Sequence, residues 1–170
     1  MQCNAIQSLS VNIKRNKASL WQEQSLPHDG TVMSDKALGK AVEFPRALGS
    51  EIIIVHIVDS RFVPPSTTLG LISEKTALED AKIKLVRILK KGAEVVLKDR
   101  IQQAKQNGVG ARLILGVGSP AEEIVSIAKA EKVGMIVIGS RQLKGDKMIT
   151  LGSVARRVSE TASCPVMLVR

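Results

Sequence analysis

Two stretches of this chain are aliphatic on both parities of a β-strand: IIIVHIV from Ile52 to Val58, interrupted only by His56, and MIVI from Met135 to Ile138. A strand with no polar face must sit inside a sheet covered on both sides, the usual situation of a parallel sheet in an α/β protein. Aromatic residues are scarce, with Trp21, Phe44 and Phe62 and no Tyr. The core is therefore built from Ile, Val, Leu and Ala. At 170 residues the chain is long enough for one domain with a substantial core.

The intervening segments alternate with these runs. Asp29-Gly30 is a turn signal, and Ser34 caps a helix through Ala37, Leu38, Ala41 and Val42 that Pro45 kinks or ends near Phe44. A long helix is expected from about Glu74 to Gln106, stopped by Asn107-Gly108. Arg112 to Leu115 reads as a short strand. Ser119-Pro120-Ala121-Glu122 reads as a helix start with a capping box. After Met135–Ile138 come a loop, a helix with Ser153 as its cap, and a last strand from Pro165 to Val169. From residue 29 onward helices and strands alternate, which calls for an open parallel sheet with helices on both faces. Upstream the pattern fails. Trp21 to His28 does not read as a buried strand, and Leu9 to Ile13 alternates only weakly. Residues 1–28 are set apart as an atypical N-terminal segment and 29–170 as the domain.

Several functions are disfavoured by composition. No apolar run approaches the length of a bilayer span, and the N-terminus lacks a secretory h-region. Cys3 and Cys164 match no metal or redox spacing, which suits reduced thiols in a cytoplasmic protein. The net charge of +9 owes much to lysines and arginines between Lys82 and Arg112. These alternate with Leu and Val at helical spacing and read as a solvated helix face. Weak attraction to polyanions follows, but no specific nucleic-acid recognition, which would call for aromatic stacking platforms. Gly116-Val117-Gly118 lacks the rest of a dinucleotide fingerprint, and no Walker A sequence is present. His56 reads as a hydrogen-bonded core histidine, and two histidines in all leave little room for a catalytic triad.

The stretch from Gly134 to Val154 carries the clearest functional signal. A buried strand empties into Gly139-Ser140, a basic loop with Arg141, Lys144 and Lys147 follows, and Gly152-Ser153 opens a helix. Main-chain amides at a helix N-terminus bind anions without help from side chains. Spacing alone does not separate such a site from an ordinary strand-to-helix connection with solvated lysines.

Taken together, Asp29-Gly30, IIIVHIVD, Gly118-Ser119-Pro120-Ala121-Glu122-Glu123-Ile124, IVIGSRQLKGDKMITLGSVARRV and Cys164-Pro165-Val166 resemble the universal stress protein family over residues 29–170. The resemblance implies a five-stranded parallel sheet of order 3-2-1-4-5, a homodimer formed through Pro165 to Val169, and ATP, with or without Mg²⁺, as ligand. Carried over by position, Asp29 meets the adenosine end and Ile57 lines the adenine pocket. Ile138 and Gly139 approach ribose and phosphate by backbone; Gly152, Ser153 and Val154 hold phosphate at the helix start. Arg141 falls within the same loop and offers a compensating charge. Gln142 stands where ATP-binding members carry glycine. The implied function is an adenine-nucleotide-binding sensor or regulator in stress response. The alternatives are a member that binds no ATP and acts through its dimer surface, and a slow ATPase.

Overall fold

A computed structural model describes residues 23–48, 51–62, 75–140 and 151–170. Leu9 to Ile13, Arg141 and Gln142 lie outside the described residues. Five strands form one parallel sheet: β1 (Glu23–Pro27), β2 (Glu51–Asp59), β3 (Gly110–Gly118), β4 (Met135–Gly139) and β5 (Val166–Val169), in the order β3-β2-β1-β4-β5. Four α-helices connect them: α1 (Val32–Leu48), α2 (Lys75–Gln106), α3 (Pro120–Ala130) and α4 (Ser153–Thr161).

Strand β1 overturns the reading of Trp21 to His28. Glu23–Pro27 is the centre of the sheet, pairing with β2 from Glu23↔Glu51 to Pro27↔Val55 and with β4 at Gln24↔Met135 and Ser25↔Ile136. Gln24, Ser25 and Leu26 are fully buried. The strand escaped detection because its burial is imposed by its neighbours, not by its own apolarity. Pro27 is tolerated because it ends the strand, beyond the last position paired with β4.

The aliphatic runs do what their pattern requires. Ile52 and Ile54 of β2 join Leu26, Ala37, Leu38, Leu97, Ala104 and Val137 in one core layer under α1 and α2. Ile53 and Val55 turn to the other face and pack with Ile124, Ala128, Ile136, Ile138, Ala155 and Val158 under α3 and α4. One strand thus feeds two layers, and each fully buried aliphatic side chain contributes about 1.5–3 kcal/mol of transfer free energy. Cys164 is half-buried against the second layer, and burial pushes its thiol pKa up.

Helix α1 continues through Pro45 to Leu48 rather than ending near Phe44. A proline in the last turn removes a single backbone bond, which the packed helix tolerates. Helix α2 runs from Lys75 to Gln106, and Gly108 at φ 75° ends it, its N–H donating to the Lys105 carbonyl at 2.9 Å. Ser34 lies inside the first turn of α1 and Gly152 occupies the position expected for Ser153, which is instead the first residue of α4. Ser119 does precede α3 with extended backbone, but its side chain makes no capping bond.

Candidate nucleotide cleft

The crossover after β1 runs through α1 on one face of the sheet, and the crossover after β4 runs through α4 on the other. Adjacent parallel strands that send their connections to opposite faces leave a crevice beyond their carboxyl ends, the usual ligand position in such sheets. Here the crevice has a volume of about 790 Å³, within the ordinary range for small-molecule sites. Asp29, Ile57, Ile138, Gly139, Gly152, Ser153 and Val154 all line it. The turns after β4 and before α4 therefore open on one space.

Three local features shape that space. Gly139 ends β4 against the first turn of α1. A Cβ there would lie 2.5 Å from the Met33 carbonyl oxygen and 3.0 Å from the Ser34 nitrogen. Glycine is thus required by the packing of two backbones, whatever ligand approaches. Helix α4 begins with no side-chain cap, and its first intrahelical bond runs from Arg156 N–H to the Gly152 carbonyl at 2.9 Å. The amides of Ser153, Val154 and Ala155 precede that bond, so helix geometry gives them no partner within the helix. All three residues line the cleft, where the positive end of the helix dipole favours an anion.

The third feature is the turn after β1. Asp29 Oδ1 accepts from the Thr31 N–H at 3.1 Å, from Thr31 Oγ1 at 2.6 Å and from Ser34 Oγ at 2.9 Å, so its carboxylate organises the entry to α1. Strand β1 fixes its place at the cleft. Next to it, His28 is buried, with its ring between the Gly30 amide and the Asp35 carboxylate. His56 Nδ1–H donates to the His28 carbonyl at 2.8 Å. The expectation of a hydrogen-bonded His56 holds, but the residue is half-buried in the cleft wall, not enclosed in the core. Arg61 supplies a guanidinium at the rim and is engaged by the Asp59 carboxylate through Nε at 3.0 Å. Sequence reasoning gave Ser34 only as a helix cap and missed the parts played by His28, Thr31 and Arg100, whose bidentate bond to Asp35 spans 65 residues of chain. No periodic or spacing signal announces such contacts.

Burial lowers the His28 pKa below its ordinary value, and the opposing pull of the Asp35 carboxylate does not cancel it. The hydrogen bond from Arg100 holds the Asp35 carboxyl below the usual carboxylate range. The signs follow from proton linkage. Just below pH of about 6.5 the unfolded chain protonates at this histidine while the folded chain does not, so stability falls as pH drops through that value. Asp35 contributes above about pH 3.9, and its contribution is lost below it. The unfolding free energy from urea titrations is expected to fall between pH 7.5 and pH 5.5, by at most about 1.4 kcal/mol per pH unit for His28 alone. In a His28→Asn variant that part of the slope disappears; an unchanged slope contradicts the assignment.

The five-stranded parallel sheet and its order agree with what the chain matches. Residues 26–170 match the family model described as the universal stress protein family. The chain belongs to that family. The universal stress protein YxiE of Bacillus subtilis is 35% identical over 142 residues, covering 84% of this chain and 94% of that relative. The universal stress protein MJ0577 of Methanocaldococcus jannaschii has a solved structure that superposes with a TM-score of 0.74 at 27% identity, covering 88% of this chain and 96% of that one. The universal stress protein of Archaeoglobus fulgidus in complex with dAMP superposes with a TM-score of 0.60 at 21% identity, covering 89% and 99%. The family match starts at Leu26, so it takes in the last two residues of β1, Leu26 and Pro27, and every later strand of this universal stress protein.

Proposed function

We propose that the cleft binds an adenine nucleotide, ATP with or without Mg²⁺, and that the protein works in the cytoplasm as a nucleotide-responsive regulator of the stress response. One observation carries the reading: the Gly139 turn, the uncapped amides of Ser153 and Val154, the Asp29 turn and Ile57 all line one cleft. Amides and a helix dipole suit phosphate, and Ile57 with its aliphatic neighbours suits a flat base. A protein of the same fold is in complex with dAMP, which supports an adenine nucleotide as the class of ligand. Binding needs only these groups, and the role proposed is retention of the nucleotide, not its turnover.

A thermal shift tests this. Ligand at a hundred times its Kd stabilises by about 2.7 kcal/mol, which for a chain of this size is a Tm rise of roughly 5–11 °C. Mg-ATP should give that rise and GTP a smaller one. Equal shifts would discard the adenine preference, and no shift would favour the member that binds no ATP, a reading for which Gln142 speaks.

We also propose a homodimer through β5. That strand lies at the end of the sheet order, beyond β4, and its residues Val166 to Leu168 are only half-buried. Sedimentation at the mass of one chain would discard the dimer. Among the described residues no helix is long and apolar enough to cross a membrane.

A further inference from the structure

His28 makes more directed contacts than its place at the end of a strand requires. Its Nδ1 accepts from the Gly30 N–H at 3.1 Å, so the ring proton resides on Nε2, which donates to Asp35 Oδ1 at 3.1 Å. Asp35 is in turn gripped by Arg100 of α2, through Nε at 3.0 Å and Nη2 at 3.2 Å. His28 holds this turn from one side and the Asp29 carboxylate, bonded to Thr31 and Ser34, from the other. Gly30 sits at φ +82°, and a Cβ built there would meet nothing within 4 Å. The hydrogen bond from the Gly30 N–H to His28 joins those that Thr31 and Ser34 make to Asp29 in fixing its conformation. The same residue's carbonyl orients His56.

We propose that His28 is a positioning residue for the cleft: its Nε2–H tautomer, set by Asp35 and Arg100, clamps the Asp29-Gly30 turn in the geometry that the bound nucleotide meets. The proposal rests on the nucleotide reading above. It adds that the acceptor offered to the Gly30 amide is set from α2, through Asp35 and Arg100, neither of which lines the cleft, acting on His28, which does. His28 itself need make no ligand contact.

Two amide substitutions separate the two ring nitrogens. His28→Asn places a carbonyl oxygen near the Nδ1 position, so the Gly30 N–H keeps an acceptor while the bond to Asp35 is lost. His28→Gln places its amide nitrogen near Nε2, so Asp35 keeps a donor while Gly30 loses its acceptor. The backbone bond to His56 survives in both. Amide exchange at Gly30 in the ligand-free protein should be faster in the Gln variant and close to wild type in the Asn variant. By calorimetry at a temperature where all three proteins are folded, the Kd for ATP should rise about tenfold in the Gln variant, the effect of one lost hydrogen bond. The Asn variant should recover affinity to within about threefold. Affinities that follow the melting temperatures of the two variants, instead of the Gly30 bond, overturn the proposal, as does unchanged Gly30 exchange in the Gln variant. A wild-type protein that binds no ATP overturns the nucleotide reading, and with it the role of the turn in binding. Gly30 exchange then still upholds or overturns the clamp.

Discussion

Gly139→Ala is expected to lower stability by about 1–3 kcal/mol, the usual range for atoms forced into a packed interior. For a chain of this size that is a Tm loss of roughly 2–12 °C. The obstacle decides the size of the effect. The new methyl would lie 2.5 Å from the Met33 carbonyl oxygen and 2.7 Å from its carbon, both backbone atoms of the first turn of α1. No side-chain rotation relieves that, so the helix start must move away from β4. The Asp29 turn and Gly139 border the same cleft, and the shift should weaken nucleotide binding along with the fold. Gly39 supplies the control. It lies exposed within α1, with nothing within 4 Å of a Cβ. Gly39→Ala should therefore raise stability by about 0.5–1 kcal/mol through helix propensity. Melting curves that rank the two variants the other way would contradict the packing described here.

Gln24→Leu should make the protein more stable by about 1–3 kcal/mol. Gln24 is fully buried in the central strand, between its register partners Ile52 and Met135. Its amide oxygen and nitrogen have no hydrogen-bond partner among the described residues. A buried polar group without a partner forfeits the hydration it had in the unfolded chain, and leucine, of similar size, has none to forfeit. Ser25, fully buried on the opposite parity with an unpartnered hydroxyl, should respond to Ser25→Ala in the same direction by a smaller amount. Chemical denaturation reads both. A destabilised Gln24→Leu would mean that the amide is bonded in the folded protein, for instance to an enclosed water.

The same two residues explain what the sequence concealed. Strand β2 was legible because Ile52 through Val55 all demand burial, two on each face. Strand β1 lies beside it with the same burial and an opposite composition, Gln24 and Ser25 preceding Leu26 and Pro27. Periodicity reports what a segment prefers, not what its neighbours impose, and a five-residue strand offers too few positions for preference to show. The long helix α2 was placed to within a residue because its period persists over nine turns and Asn107-Gly108 has stop chemistry of its own. Around the cleft, the positions after β4 and before α4 could be read because small residues at a strand end and a helix start have local causes. The linkage from His28 through Asp35 to Arg100 could not, since only the folded sheet brings residue 100 beside residue 35.

The central claim is that one cleft at the carboxyl ends of β1, β2 and β4 receives an adenine nucleotide. Titrating ATP into isotope-labelled protein and following backbone amides by NMR tests it most directly. The account predicts saturable shifts at Asp29 to Thr31, Ile57, Gly139, and Ser153 to Ala155. Shifts confined to the basic face of α2, or none at millimolar ATP, would contradict it.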